Sequence, residues 1–183
     1  MKSRLYNEYK DKVVPELKKE LSLNNSMQVP RLRKIVINSG IGNIKDNREL
    51  IESFVNDMTQ IAGQRPVITK AKKSEAGFKL RKGEPVGVTV TLRGDKMWGF
   101  LDKLINVALP RVRDFSGISN RSFDKRGNYS LGISEHTIFP EVNPNTVRTL
   151  KSLQATIVTS SDDVGQNKAL LKALGAPFRK DNK

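Results

Sequence analysis

The sequence predicts an α+β fold, an antiparallel sheet with helices on one face and a further helix at each end of the chain. Three observations predict it. Four segments carry apolar residues at helical spacing, four others read as strands, and from residue 31 to 160 the two kinds alternate as β-α-β-β-α-(insert)-β. At 183 residues the chain has length for a real core, and its 37% apolar and 28% charged content is ordinary for a globular protein. One domain is expected over residues 1–183, with the core at 31–160. A helix and loop precede it at 1–30, a long insert occupies 111–150, and a helix and tail follow at 161–183.

The elements follow in order. Leu5, Tyr9, Val13, Leu17 and Leu21 recur every four residues, so 3–22 is expected as a helix, kinked or split at Pro15. The Asn, Ser and Pro residues of 24–30 read as a loop. RLRKIVINSG (31–40) is a strand with Ile35 and Ile37 on one face and Lys34, Val36 and Asn38 on the other. A helix over 48–62 places Leu50, Phe54, Val55, Met58 and Ile61 on one side and stops at Gly63. RPVITKA (65–71) is a second strand. In GEPVGVTVTLRG, Val86, Val88, Val90 and Leu92 alternate with Gly87, Thr89, Thr91 and Arg93, the clearest strand of the chain. Asp95 is expected to cap a helix running to Pro110. LQATIVTS (153–160) is the last strand, Asp162 and Asp163 open a final helix ending at Gly175, and FRKDNK is a basic tail. This is the split βαβ, ferredoxin-like order.

The chain carries a net charge of +14 with a pI near 10.1. That balance points to nucleic acid or an anionic membrane surface. The charge is localised. Residues 64–82 hold seven cations (Arg65, Lys70, Lys72, Lys73, Lys79, Arg81, Lys82) against Glu75 alone. Crowding like charges at one hairpin tip opposes folding, so VITKAKKSEAGFKLRKG (67–83) implies a large anionic partner. A membrane binder would show an amphipathic helix, and this tip offers only Phe78 and Leu80 as apolar groups.

Several classes are excluded or weakened. The absence of cysteine rules out disulfides, cysteine-ligated zinc and thiol catalysis. No apolar run approaches the ~20 residues of a membrane span, and MKSRLYNEYKDK does not read as a signal peptide. A soluble intracellular protein is expected. NSGIGN lacks the third glycine of a dinucleotide fingerprint, with Lys45 in its place, and reads as a tight βα turn. His136, the only histidine, has no GxSxG elbow and no metal-ligating companions. No pair of acids is isolated in an apolar setting. No catalytic residue, metal ligand or cofactor is assigned.

The sheet face that the helices leave open would present Asn38, Thr89 and Thr91, flanked by Lys34, Arg93 and the basic hairpin. These strands carry no aromatic platform for stacking single-stranded bases, and no recognition helix is evident. Hydroxyl and amide groups suit the 2′-OH, phosphates and shallow-groove edges of folded, largely paired RNA. Threonine is also simply a good strand former, so these residues alone leave that question open.

MQVPRLRKIVINSGIG (27–42), IAGQRPVITKAKKSEAGFKLRKGEPVGVTVTLRG (61–94), MWGFLDKLINVALPRVRDFSG (97–117), SFDKRGNYSLGI (122–133) and IFPEV (138–142) together resemble the bacterial-type large-subunit ribosomal protein number five, a 5S rRNA-binding family. The resemblance spans nearly the whole chain. It implies a non-enzymatic component of the cytoplasmic ribosome that docks 5S rRNA through Asn38, Gln64, Thr89 and Thr91. Arg31, Arg33, Lys34 and Arg93 would add phosphate contacts. It also implies that the hairpin cations Lys70, Lys72, Lys73, Lys79, Arg81 and Lys82 reach peptidyl-site tRNA and 23S rRNA. The insert, with Arg111, Arg113, Phe115 and Arg126, would meet a small-subunit head protein across an inter-subunit bridge, and other 5S-binding ribosomal proteins would be neighbours. Glu75 stands where the family carries a small residue, and His136 where it carries glutamine. The rivals from other classes are an RNA-processing or nucleotide-binding enzyme and a free RNA chaperone.

Overall fold

The computed structural model describes residues 3–145 and 147–179. The last four residues of the expected basic tail lie outside them. Five strands form one sheet: β1 (Leu32–Gly40), β2 (Val67–Lys70), β3 (Pro85–Leu92), β4 (Tyr129–Ile133) and β5 (Leu153–Thr159), in the order β2-β3-β1-β5-β4. Setting β4 aside, 2-3-1-5 is the predicted split βαβ order. β2 and β3 pair antiparallel, Val67 opposite Thr89 and Ile68 opposite Val88. β5 runs against β1, because the Ser160 N–H donates to the Arg31 carbonyl at one end and the Ser39 hydroxyl donates to the Ser152 carbonyl at the other.

The insert 111–150 contains a strand that the sequence does not advertise. YSLGI is short, carries a glycine and is embedded among Gly, Asn and Ser, so its alternation is too brief to read. It is nonetheless tied into the sheet edge through the Ser130 and Thr156 hydroxyls, 3.1 Å apart.

The chain divides into two compact units. The first comprises Met1–Ile35, Arg93–Leu131 and Thr156–Lys183. It contains α1 (Arg4–Glu8), α2 (Val14–Glu20), α4 (Gly94–Lys103) and α5 (Val164–Ala173). Between α1 and α2 the backbone takes π-helical turns over Tyr9–Val13. Pro15 lacks an N–H and its ring collides with the carbonyl four residues back, so the helix absorbs it by widening just before it. Leu5, Val13 and Leu17 are buried, and the Trp98 ring packs against Tyr6 and Tyr9 with centroids 5.7 and 5.1 Å apart. Asp95 is not the cap expected of it. α4 begins at Gly94, whose φ of 56° ends the preceding strand, with Arg93 at the cap position and no side-chain cap bond. Asp95 therefore meets the helix only through its charge in the first turn. At α5 the expectation holds, since the Asp163 carboxylate accepts the Gly165 N–H at 2.7 Å.

The second unit comprises Val36–Leu92 and Gly132–Ala155 and contains α3 (Arg48–Ala62). Asn47 caps α3 by accepting the Leu50 N–H, and Gly63 ends it in the left-handed region at φ 63°. The buried face of α3 is Ile51, Phe54, Val55, Met58 and Ile61, while Ile37, Ile41, Val88, Val90 and Leu92 are buried in the same unit. Each such aliphatic side chain contributes about 1.5–3 kcal/mol on full burial. Leu50, assigned to that face, is only half-buried.

Candidate nucleic-acid interface

In the second unit alternation sorts the strands into two faces. Val88, Val90 and Leu92 point into the core, and Thr89 and Thr91 point out, half-buried and exposed respectively. On β1, Ile37 and Ser39 are buried while Asn38 is exposed. β2 adds Val67 and Thr69 to the outward side by pairing with Thr89 and Gly87. The Thr89 hydroxyl donates to the Ile37 carbonyl at 3.2 Å, which brings Thr89 beside Asn38 and leaves its oxygen lone pairs to accept. Asn38 and Thr91 have no side-chain partner among the described residues, so their hydrogen-bonding capacity faces outward unused. Gln64 is exposed and lies three residues before β2, at the end of the hairpin where Thr91 sits.

Gly87 is the flat spot of this platform. A Cβ there would stand 2.9 Å from the Thr69 hydroxyl and 3.1 Å from the Ser39 carbonyl, so glycine lets the Thr69 side chain and the β1 backbone close over this position. The platform carries no aromatic ring.

The connection from β2 to β3 is the basic finger. At its root the Ala71 N–H donates to the Glu84 carbonyl and the Ala71 carbonyl accepts the Gly83 N–H. Higher up, Glu75 and Leu80 exchange two more, closing a turn through Ala76–Phe78, and Lys79 adopts φ 48°. The Ser74 hydroxyl accepts the Lys82 N–H at 3.0 Å. All six predicted finger cations, Lys70, Lys72, Lys73, Lys79, Arg81 and Lys82, are exposed, and the Phe78 ring is 80% exposed among them. Residues 64–82 carry seven cations against one acid, whereas the rest of this unit carries four against seven.

The first unit holds the other predicted residues. Arg31, Arg33 and Arg93 are exposed, and Lys34 is half-buried. Arg33 is exposed although it is in phase with buried Ile35 and Ile37, and Leu32 is buried in phase with Lys34, so strict alternation breaks at the start of β1. Arg111 and Arg113 are exposed and Phe115 is half-buried, all just past α4. Arg126 stands in a separate turn built by Asp124, whose carboxylate accepts the Arg126 and Asn128 N–H groups and the Asn128 amide at 2.8–2.9 Å. Those bonds, the Asn128 amide foremost, hold the Asp124 carboxyl below its usual range. No hydrogen bond or ion pair among the described residues joins Arg126 to Arg111, Arg113 or Phe115.

His136 is fully buried rather than poised in a cleft. Its Nδ1 accepts the Lys151 backbone N–H at 3.2 Å, which places the ring proton on Nε2, 3.5 Å from an Asp57 oxygen. Its ring meets Phe54 edge-on. No serine, threonine or cysteine nucleophile is placed on it, and no group of three metal-ligating side chains occurs among the described residues. No helix among them is long and apolar enough to cross a membrane.

Comparison with known proteins decides the family. The profile of ribosomal protein L5 matches residues 25–81, and that of the ribosomal L5P family C-terminus matches residues 85–178. The chain belongs to the ribosomal protein L5 family. The large ribosomal subunit protein uL5 of Geotalea daltonii is 55% identical over 177 residues, 97% of this chain and 99% of that relative. That of Desulfatibacillum aliphaticivorans is 53% identical over 178 residues, with the same coverage. That of Rippkaea orientalis is 50% identical over 179 residues, 98% of this chain and 99% of the relative. The family is one of structural ribosomal proteins, not of enzymes.

Within this L5-family chain, two lysines do something that sequence reasoning missed. The Lys45 side chain, 15% exposed, donates to the Lys79 carbonyl and to Glu84 Oε2, the latter at 3.1 Å. Lys151 is buried and its ammonium donates to the Asn43 side chain. Both contacts end on the NSGIGNIK turn after β1. The only signal in sequence was a lysine interrupting a glycine-rich turn.

Proposed function

We propose that this protein is a structural RNA-binding component of the large subunit of the cytoplasmic ribosome. The face bearing Asn38, Thr89 and Thr91, with Gln64, docks 5S rRNA, and Arg31, Arg33, Lys34 and Arg93 supply phosphate contacts. The finger cations Lys70, Lys72, Lys73, Lys79, Arg81 and Lys82 meet peptidyl-site tRNA and 23S rRNA. Arg111, Arg113, Phe115 and Arg126 meet a small-subunit head protein across a bridge, with other 5S-binding ribosomal proteins as neighbours. The mechanism is binding without turnover.

One observation carries this reading. The second unit sets an aromatic-free platform, with the unspent Asn38 amide on β1 and the Thr91 hydroxyl on β3, beside the hairpin that carries a finger of exposed cations. Such a surface suits paired RNA, where 2′-OH groups and phosphates are reachable and base faces are not. The test is direct binding to 5S rRNA across a salt series. With roughly six to eight phosphates neutralised, log K falls against log salt with a slope of about −5 to −7. A slope near zero, or cleavage of the RNA, overturns the reading. The two units are further proposed to act as one domain, which requires a single transition by both fluorescence and circular dichroism.

A further inference from the structure

We infer that Lys45 is the positioning residue of the basic finger, a role that rests on the finger binding RNA. Lys45 follows the Gly42–Ile44 turn, and that turn is firmly held. Ile41 and Ile44 are buried, and the Ile41 N–H donates to the Val86 carbonyl at 3.0 Å. From this fixed post the Lys45 ammonium spans two places in the finger, the Lys79 carbonyl near the tip and the Glu84 carboxylate at the root. The finger's own bonds are local. Glu75 with Leu80, Ala71 with Glu84 and Gly83, and Ser74 with Lys82 set its internal shape and say nothing of its direction. Among the described residues, Lys45 provides the hydrogen bond, to the Lys79 carbonyl, that ties the finger beyond Ala71 and before Glu84 to a segment outside the hairpin.

The chemistry of the contact suits this role. Lys79 sits at φ 48°, a conformation disfavoured for a side chain with a Cβ, and its carbonyl is turned to the ammonium. A lysine 15% exposed has given up most of its hydration and recovers it from one carboxylate and one carbonyl. The same contact engages Glu84, the acid at the finger's root. Without Lys45, Glu84 is left to Arg81 alone, which pulls the root toward a different pairing and neutralises one RNA-facing charge. Lys45 does not itself touch RNA. It fixes the direction in which the six exposed cations are offered.

The test uses the full chain with Lys45→Met, which keeps the stem but removes the charge, and Lys45→Arg, which restores a donor for both acceptors. Affinity is read against unfractionated tRNA at several salt concentrations, and hydrogen exchange is read at Leu80 and Gly83. If the untied finger spends a tenth to a third of its time in the competent direction, Lys45→Met binds about 3–10-fold more weakly. The salt slope stays within about one unit of wild type, since no phosphate contact is removed. Exchange at Leu80 and Gly83 accelerates, and Lys45→Arg restores both readouts. Wild-type affinity and exchange in Lys45→Met overturn the positioning role. A control with Lys72, Lys73 and Arg81 changed to Ala separates the two hypotheses. If it too binds tRNA as wild type does, the finger is not an RNA contact and the functional reading fails on its own account.

Discussion

The Asn167 amide donates to the Gly127 carbonyl at 3.0 Å and to the Ser161 carbonyl at 2.8 Å, from a side chain with no solvent exposure. Gly127 closes the turn that carries Arg126, at φ 71°, and a Cβ there would lie 2.2 Å from the Asn167 nitrogen. Asn167→Leu leaves these two carbonyls only the Thr159 hydroxyl, 3.5 Å from each, to share, and should cost about 1–3 kcal/mol in urea unfolding. Gly127→Ala should cost at least as much, through both strain and collision. If Gly127→Ala unfolds like wild type, the turn has another conformation available and the fixed placement of Arg126 is wrong.

Asn38→Ala with Thr91→Ala separates binding from folding. Both side chains are exposed and unpartnered, so the melting temperature should stay within about 1–2 °C of wild type. Each lost hydrogen bond to RNA is worth about 0.5–1.5 kcal/mol, so 5S rRNA affinity should fall roughly 5- to 150-fold for the pair. A stability collapse would mean that these groups hold up the sheet.

Gly87→Val tests the flat spot by adding bulk between Thr69 and the Ser39 carbonyl. Overpacking of this kind costs about 1–3 kcal/mol. RNA binding should fall by more than the lost fraction of folded protein explains, measured at a temperature where both proteins are folded.

The Phe78 ring stands among cations and is 80% exposed. Phe78→Ala should leave thermal stability unchanged and weaken tRNA binding by about 1–3 kcal/mol, the range for an aromatic ring stacked on a base. Unaltered affinity would leave the finger as a purely electrostatic contact.

Burial lowers the Lys151 pKa from its ordinary value, and its hydrogen-bond partner, Asn43, is neutral. The folded state therefore releases this proton before the unfolded chain does. Between the depressed value and the ordinary lysine pKa of about 10.4 the unfolded chain binds more protons, so this group's contribution to stability rises with pH there. Below that window the penalty is constant. Lys151→Met should lose that alkaline rise, measured as the pH dependence of urea unfolding. Glu84 works in the opposite sense, its carboxyl held low by a backbone bond from Arg81 and then by Lys45. Its contribution is complete above the ordinary glutamate pKa of about 4.3 and disappears as pH falls through the depressed value.

What was readable in the sequence was whatever local periodicity controls. The parity of Val88, Val90 and Leu92 against Thr89 and Thr91 carried over directly, as did the α3 stop at Gly63 and the break at Pro15. β4 was not readable, because five residues with a central Leu-Gly pair make too short a pattern. Asp95 misled because an acid near a helix start suits both a cap and the first turn, and only the backbone angle at Gly94 distinguishes them. Within the candidate site, exposure of Asn38, Thr91 and the finger cations followed from alternation and charge. The donor that Thr89 gives to Ile37 did not, since it depends on which strand lies alongside. Lys45 and Lys151 were invisible for a related reason. Their acceptors lie 34 and 108 residues away, and a lysine in a polar turn looks solvated until the chain folds back on it.

The uneven distribution of charge within the second unit governs how an encounter begins. A segment with seven cations and one acid, attached to a remainder with four and seven, forms a strong permanent dipole with the finger at its positive end. In the field of a polyanion that dipole turns before any atom touches, so the finger leads and the neutral platform follows. Added salt should then slow association far more than it hastens release, and a platform variant should do the reverse.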